Sequence, residues 1–320
     1  MTQTAAGAFP QQRFAATRIS DAIVAELLNA GREGIVEGVH RSALNIRCDG
    51  RLLTVAHESL GGLPNGVLID PPIALDKIGI ALGMPVQIDG VALRVPGASL
   101  VVLLSAAVSW PPAMPVVRGI SQTERIERAE RAMQLAADHA PRVGLGPLLV
   151  GIGDQQTNVG SLGRAAAGSL ASAVEALDKG SSEQAVTAAY PLIGLGPGAT
   201  PSGDDLLVGL AAGLAATDHP MARSFAAGVA RQAVGLTTSV AESYLFHAGR
   251  LEFSERVHSA ALAVLTSPQR DVPAAVTTAL AWGASSGADL LVGLLVGIQA
   301  GAPGLAERLR VCATERNVAA

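Results

Sequence analysis

The chain has 320 residues, of which 49% are hydrophobic and 16% are charged, and its formal net charge is -4. This length supports one large domain or two ordinary ones with a sizeable core. The mild negative charge argues against nucleic-acid binding, which requires clustered lysines and arginines. The longest apolar runs, Leu206–Ala216 and Leu290–Ile298, are shorter than the roughly 20 residues that span a bilayer, so we expect no membrane segment.

The two cysteines, Cys48 and Cys312, lie far apart and match neither a disulfide framework nor a metal-ligand spacing. Residues Met1–Pro10 lack the basic region followed by an apolar run that is typical of a secretion signal. Both observations favour a cytoplasmic protein in a reducing environment.

The first third of the chain has the pattern of a β-rich domain. Residues 1–17 are predicted to be a disordered or loosely packed leader, and Arg18–Ala30 has the apolar spacing of a helix. From Gly34 to Trp110, short apolar runs alternate with turn signals such as Asp49-Gly50 and Asp89-Gly90. These runs predict a small barrel or sandwich over residues 18–115.

Two further segments bound this domain. The continuous apolar run Leu100–Val108 predicts one strand that is buried on both faces. Pro111-Pro112 and Pro115 then predict a linker.

The remainder, residues 116–320, has the pattern of an all-α domain, so the predicted fold class is α+β. Ser121–Glu124 is a capping box that starts a helix ending near His139. Gly144–Gly163 is glycine-rich and predicts irregular structure, including the loop Gly144-Leu145-Gly146-Pro147. Further helices are predicted near Arg164–Asp178, Ser182–Ala189, Pro201–Ala216, Met221–Val234, Ser239–Ala248, Ser254–Leu265, Val272–Trp282 and Gly287–Ala300.

The stretch Gly194–Asp205 concentrates glycines, hydroxyls and carboxylates directly before an apolar helix. Thr200 suits the N-cap and Pro201 the first helical position. The free N–H groups of such a helix start, together with Gly196 and Gly198, would form an anion site. Gly203 costs helix stability relative to alanine, which indicates close approach by a ligand or by backbone.

Two adjacent carboxylates, Asp204 and Asp205, follow within the first turn. Acidic residues favour the positive end of a helix, which is their structural explanation. Because successive helical positions point about 100° apart, we expect the two to have different roles. Asp204 or Asp205, together with Asp289, would position an amide nitrogen, act as a base or hold a magnesium ion. These three alternatives stay open.

This motif has an internal repeat. Pro201–Leu214 and Ser285–Ile298 align without gaps and share nine of fourteen residues, including Ser202 with Ser286 and Asp205 with Asp289. Both copies carry glycines four residues apart, a spacing that lets two helices approach closely. We expect the two helices to cross at their glycine faces and Ser202 and Ser286 to share one cleft; the alternative is that they are two similar helix starts that merely pack.

The hydroxyl cluster Thr237-Thr238-Ser239 precedes another predicted helix. The cluster either caps that helix or supplies a third set of donors to the same ligand. No HExxH spacing occurs, so we expect no zinc site. No Ser-His-Asp or Cys-His arrangement can be assigned from spacing either.

The pattern over Gly194–Gly209 resembles the signature of the AllH-like family, whose named member is a subunit of bacterial oxamate carbamoyltransferase. Ser285–Leu291 is similar to that family's second signature. Thr237-Thr238-Ser239, Phe253-Ser254-Glu255 and Ala43-Leu44-Asn45 also resemble the family. The resemblance extends over most of the chain, from about residue 35 to 300.

The resemblance implies a carbamoyl-transfer system that works with partner subunits and acts on a ureide or on carbamoyl phosphate: oxalurate plus phosphate to oxamate plus carbamoyl phosphate, or the reverse. The catalytic candidates are Asp204, Asp205 and Asp289. The residues expected to contact substrate or phosphate are Gly196, Gly198, Thr200, Ser202, Gly203, Thr238, Ser239, Ser285, Ser286, Gly287 and Asn45. The alternative is a non-catalytic scaffold or ligand-sensing subunit that completes a partner's site.

Overall fold

The structure, a computed structural model, describes residues 12–28, 31–70, 74–154, 157–268 and 271–314. The chain divides into two compact units, one ending at Pro112 and the other beginning at Ala113. Each unit has a core of its own.

The first unit is a β-barrel with one short helix, α1 (Asp21–Leu28). Its nine described strands are β1 (Gln12–Ser20), β2 (Arg32–Val39), β3 (Ala43–Cys48), β4 (Arg51–His57), β5 (Gly66–Ile69), β6 (Pro85–Ile88), β7 (Ala92–Val95), β8 (Leu100–Leu103) and β9 (Val108–Trp110). The order β1-β5-β4-β3-β2-β6-β7-β8 returns to β1 and closes an eight-stranded ring. The ninth strand, β9, pairs in parallel with the end of β1.

The two predicted hairpin turns are confirmed. Asp49 and Gly50 join β3 to β4 with φ angles of 49° and 76°, the left-handed pair that a two-residue hairpin requires. Asp89 and Gly90 lie between β6 and β7, where the Asp89 carboxylate accepts from the backbone N–H of Ala92 at 2.8 Å.

Three predictions in this unit were wrong. Residues 12–17 belong to strand β1 rather than to a leader, and residues 1–11 lie outside the described residues. The predicted helix at Arg18–Ala30 begins only at Asp21, because residues 18–20 continue β1; residues 29 and 30 lie outside the description. The run Leu100–Val108 is two strands, and β8 is fully buried only at alternate positions.

The second unit is helical. Its described helices are α2 (Gln122–Ala137), α3 (Gly146–Gly151), α4 (Gly160–Asp178), α5 (Ser182–Ala189), α6 (Ser202–Ala216), α7 (Ala222–Ala233), α8 (Ser239–Ala248), α9 (Glu255–Thr266), α10 (Val272–Leu280), α11 (Ser286–Ile298) and α12 (Leu305–Ala313). One half of the predicted capping box is confirmed: the Ser121 hydroxyl accepts from the backbone N–H of Glu124 at 3.2 Å, while the Glu124 carboxylate accepts from Nε of Arg128 at 3.0 Å. The segment predicted as irregular, Gly144–Gly163, contains α3 and the first turn of α4.

Helices α6 and α11 form the centre of this unit. Every residue of α6 is buried, as is every residue of α11 after Ser286. Helices that are apolar on all sides pack inside a protein, which accounts for this position. Among the described residues, no helix is long and apolar enough to cross a membrane.

The predicted crossing at the glycine faces is confirmed. A β-carbon at Gly209 would overlap the carbonyl oxygen of Leu290, and one at Gly293 would overlap that of Leu206. Gly213 and Gly297 face the opposite backbone in the same way. The two backbones therefore touch directly, and this contact sets the two helix starts side by side.

Candidate functional site

The two repeated aspartates are bonded crosswise between the helices. Asp205 of α6 accepts a side-chain hydrogen bond from Ser286 of α11, and Asp289 of α11 accepts one from Ser202 of α6. The serine of each repeat therefore bonds to the aspartate of the other repeat. The structure thus brings Ser202 and Ser286 together at one junction between the helix starts.

Other groups extend this junction. Thr200 also donates to Asp205, and its Oγ1 lies 3.0 Å from Oγ of Ser286. Ser285 donates to Asp289 from the residue before α11. Thr200, Ser285 and Ser286 are only partly buried, whereas Ser202 is buried. The hydroxyls of the first three residues therefore form the outer edge of the junction.

The carboxylates lie deeper than these hydroxyls. Asp205 is 9% exposed and Asp289 is fully buried. In each, Oδ2 accepts no hydrogen bond from the described residues. A buried carboxylate oxygen without a donor is costly, so both atoms are suited to accept hydrogen bonds from a ligand or to carry a proton.

Burial also raises the pKa values of Asp205 and Asp289. It raises the pKa of Asp205 to about 7, and the nearby charges of Asp289 and Asp204 add to that effect, while the Ser286 and Thr200 hydroxyls oppose it. Burial likewise raises the pKa of Asp289, against bonds from Leu145, Ser202 and Ser285. A carboxyl group that titrates near neutral pH is suited to proton transfer.

Asp204 occupies a different environment from its neighbour. Its Oδ1 accepts from the backbone N–H of Gly194 at 3.0 Å, and its Oδ2 accepts from Oγ1 of Thr237 at 2.5 Å. Burial raises its pKa, and these two bonds oppose the rise. With both oxygens bonded, Asp204 joins the glycine loop to the segment before α8.

The helix start differs from its predicted form. Pro201 is the N-cap and α6 begins at Ser202, so Thr200 is not the cap and its hydroxyl is directed to Ser286. The backbone N–H of Gly203 donates to Leu195 at 2.8 Å, and that of Gly287 donates to Trp282 at 3.0 Å. The prediction of free backbone donors is therefore wrong at both positions, because the preceding chain folds back onto them.

The two early glycines have a packing explanation. A β-carbon at Gly203 would overlap the carbonyl oxygen of Leu192, and one at Gly287 would overlap that of Ala279. Of the two alternatives for Gly203, the structure supports close approach by backbone. The repeat thus reproduces its packing as well as its sequence.

The remaining predicted residues surround the junction. Thr238 caps α8 by accepting from the backbone N–H of Ala241 at 3.2 Å, and its Oγ1 donates to the carbonyl of Ala199 at 2.5 Å. Ser239, partly buried, is the first residue of α8. Gly196 and Gly198 both have φ of 106°, and Gly198 is exposed in the loop.

Comparison with known families gives this site a context. Residues 192–298 match the family described as oxamate carbamoyltransferase subunit AllH, and residues 15–110 match the AllH family N-terminal domain. The chain belongs to the AllH family. Comparisons with curated proteins and with solved structures found no match.

The two matched ranges contain the residues of the α6–α11 junction. They do not contain the loop Gly144–Pro147, which contacts Asp289. The backbone N–H of Leu145 donates to Oδ1 of Asp289 at 2.5 Å. A β-carbon at Gly144 would lie 2.5 Å from the same oxygen. The sequence contained a signal for this contact, since Gly144-Leu145-Gly146-Pro147 repeats the residues of Gly194-Leu195-Gly196-Pro197. Each loop donates a backbone N–H to a carboxylate at a helix start.

Sequence reasoning also missed three residues from neighbouring helices. Burial raises the pKa of Tyr244, on α8, to about 12, and the charge of Asp205 adds to this rise. The guanidinium of Arg256, on α9, lies 5.7 Å from the centre of the Trp282 ring. Arg256 also acts electrostatically on Tyr244. Tyr244 therefore lies within the field of Asp205, and Arg256 lies within that of Tyr244.

Asn45 lies in the barrel unit and within its own polar network. Its Oδ1 accepts from Thr54 Oγ1 at 3.0 Å, and Asn65 Nδ2 donates to the same Thr54 hydroxyl at 3.2 Å. All three side chains are buried. Its contact with substrate stays a prediction.

Magnesium was the one cofactor considered from the sequence. Among the described residues, no three His, Cys, Asp or Glu side chains come together as a group that could hold a metal ion. Two carboxylates alone leave an octahedral ion dependent on oxygens from water or substrate. We therefore derive no step through a metal.

Proposed function

We propose that this chain is a subunit of a carbamoyltransferase-type enzyme of ureide catabolism and that the α6–α11 junction binds its small-molecule substrate. The family description supports the reaction class. The observation that carries the assignment of the site is the crosswise bonding of Asp205 with Ser286 and of Asp289 with Ser202. It places two unsatisfied carboxylate oxygens beside partly exposed hydroxyls.

This arrangement suits a carbamoyl or oxamoyl group. Such a group offers N–H donors on one side and a carbonyl acceptor on the other. Oδ2 of Asp205 and Oδ2 of Asp289 would accept from the nitrogen, while the hydroxyl of Thr200, turned from Asp205 to the ligand, would donate to the carbonyl. That hydroxyl would also stabilise the charge that develops on the carbonyl oxygen during acyl transfer.

The proposed reaction converts oxalurate and phosphate to oxamate and carbamoyl phosphate. The bond between the carbamoyl carbon and the internal nitrogen breaks, and a bond from that carbon to a phosphate oxygen forms. The departing nitrogen gains a proton, and the attacking hydrogenphosphate loses one, so the overall reaction is balanced. Asp205, whose pKa lies at about 7, is the group at this junction best suited to supply the proton to the nitrogen.

The test is phosphate-dependent oxalurate cleavage by Asp205→Asn with the partner subunits present. We expect kcat to fall about 100-fold or more, in the range typical for loss of a general acid or base. Asp218→Asn is the matched control, because Asp218 is exposed at the far end of α6 and should retain full activity. Full activity in Asp205→Asn would overturn the catalytic assignment.

A second candidate is a non-catalytic subunit that senses a ligand or completes a partner's site. The backbone donors at Gly203 and Gly287 are already bonded within the chain, which favours a site needing further donors from a partner. Calorimetric titration of the isolated chain with oxamate and with carbamoyl phosphate separates the two. Binding that is lost in Ser202→Ala supports the substrate site, and no binding without partners supports the scaffold.

A further inference from the structure

The α6–α11 junction concentrates negative charge. Asp204 and Asp289 both act electrostatically on Asp205, and all three are at least nine-tenths buried. Three ionised carboxylates at one junction would repel any ligand that carries a carboxylate or phosphate. A site for such a ligand must therefore compensate for that charge.

The groups that face Asp205 come from several helices. Asp204 on α6 and Asp289 on α11 both act on it as negative charges. Tyr244 on α8 lies within its field and is neutral at physiological pH. Arg256 on α9 acts on Tyr244 and lies over Trp282. Among these described groups, two anions and no cation act directly on Asp205.

The hydrogen bonds distinguish the two repeated carboxylates. Asp289 receives a backbone N–H from Leu145 as well as the hydroxyls of Ser202 and Ser285. Asp205 receives only hydroxyls, from Ser286 and Thr200, and a hydroxyl can turn to accept instead. A fixed N–H donor favours the ionised form, so Asp289 is better suited to keep the charge and Asp205 to hold a proton.

We propose that an anionic ligand binds at this junction together with one proton, which is carried by Asp205. The inference rests on the proposed function of the site. The proton comes from solvent and removes one of the three negative charges at the junction. The negative charge of the ligand in turn holds the proton in place.

Because ligand binding and proton binding are thermodynamically linked, the direction in which affinity changes with pH can be stated. The pKa of Asp205 is about 7 without ligand, and a bound anion raises it further. Below pH 6 the proton is already present and binding takes up none. Above pH 7 the free site is ionised, so binding takes up a proton and affinity falls as pH rises, toward about tenfold per pH unit.

The experiment is calorimetric titration of the full chain, with partner subunits where binding requires them, using oxamate as the probe. Oxamate does not titrate between pH 6 and 8.5, so proton uptake reports on the protein. Titrations in two buffers of different ionisation enthalpy measure that uptake. We expect close to one proton per oxamate at pH 8 and little at pH 6.

Substitutions identify the residue that carries the proton. Asp205→Asn should bind oxamate without uptake and with pH-independent affinity, whereas Asp218→Asn should match the wild type. If Asp205→Asn does not fold, Asp289→Asn gives a second readout. Loss of a neighbouring negative charge should shift the onset of proton uptake to lower pH.

The outcomes separate the inference from the proposed function. Oxamate binding at pH 8 without proton uptake, or unchanged uptake in Asp205→Asn, would overturn the inference and leave the substrate site standing. Failure of oxamate and carbamoyl phosphate to bind the full complex at any pH would overturn both.

Discussion

Ser286 at the start of α11 donates a hydrogen bond to Asp205 at the start of α6, and Ser202 of α6 donates to Asp289 of α11. Each serine thus bonds to the carboxylate of the opposite repeat. This exchange joins the two helix starts, while the glycine faces join the helices along their length. The junction is therefore both a structural link and the candidate site.

The crosswise bonds should contribute measurably to stability. Ser202→Ala and Ser286→Ala should each lower the free energy of unfolding by about 1–3 kcal/mol, because each leaves a buried carboxylate with one donor fewer. Urea unfolding measures this loss. Ser259→Ala, an exposed position on α9, is the control and should change stability by less than about 0.5 kcal/mol. Wild-type stability in both junction variants would contradict the bonding described here.

The glycine faces should not tolerate a methyl group. Gly209→Ala and Gly293→Ala should each destabilise the helical unit by at least about 3 kcal/mol, because the new β-carbon overlaps a carbonyl of the opposite helix. Gly168→Ala in α4 is the matched control, since its nearest neighbour would lie 3.6 Å away. That variant should be neutral or up to about 1 kcal/mol more stable. Equal effects in all three would contradict the crossing.

The raised pKa of Asp205 predicts a pH dependence of stability. The folded state holds the proton up to about pH 7, whereas the unfolded chain releases it near 3.8. Stability from this group is therefore fully present below about pH 4 and is lost as pH rises through 7. The whole shift corresponds to at most about 4 kcal/mol.

Asp205→Asn should remove this dependence of the unfolding free energy on pH. The unfolding free energy of the variant should therefore fall less than that of the wild type between pH 5 and 8. Urea unfolding at several pH values tests it. A wild-type slope that persists in Asp205→Asn would assign the proton to another group, with Asp289 the first to examine.

Asp204 should behave as a positioning residue. Asp204→Ala leaves the N–H of Gly194 and the hydroxyl of Thr237 without their acceptor, so we expect a loss of about 2–4 kcal/mol in unfolding free energy. Thr237→Ala should cost less, and the double variant should cost less than the sum of the two. Oxamate-linked proton uptake should survive in Thr237→Ala; its disappearance there would show that this pair also controls the proton.

The sequence predicted those parts of the fold that rest on local patterns. The hairpin turn at Asp49-Gly50, the helix cap at Ser121 and the pairing of α6 with α11 each depend on residues close together or on a visible repeat. Strand β1 was missed because it is defined by parallel pairing with β8, more than 80 residues away. The start of α6 was misplaced because Thr200 is held by Ser286 of another helix, a tertiary contact that overrides its capping preference.

The same distinction applies to the site. The repeat indicated that Asp205 and Asp289 belong together, and residue types alone suggested hydroxyl donors around them. Spacing could not show that the N–H groups of Gly203 and Gly287 are already bonded, since both acceptors lie in the chain that folds back before each helix. The loop at Gly144 carried a readable signal as a second copy of Gly194–Pro197, but its partner Asp289 lies far along the chain.

The most direct test is an experimental structure of the chain, with its partner subunits, bound to oxamate. We expect the oxamate amide nitrogen within hydrogen-bond distance, about 3 Å, of Oδ2 of both Asp205 and Asp289. Thr200 should donate to its carbonyl oxygen. Oxamate bound away from both carboxylates, with the α6–α11 junction unchanged, would contradict the central claim.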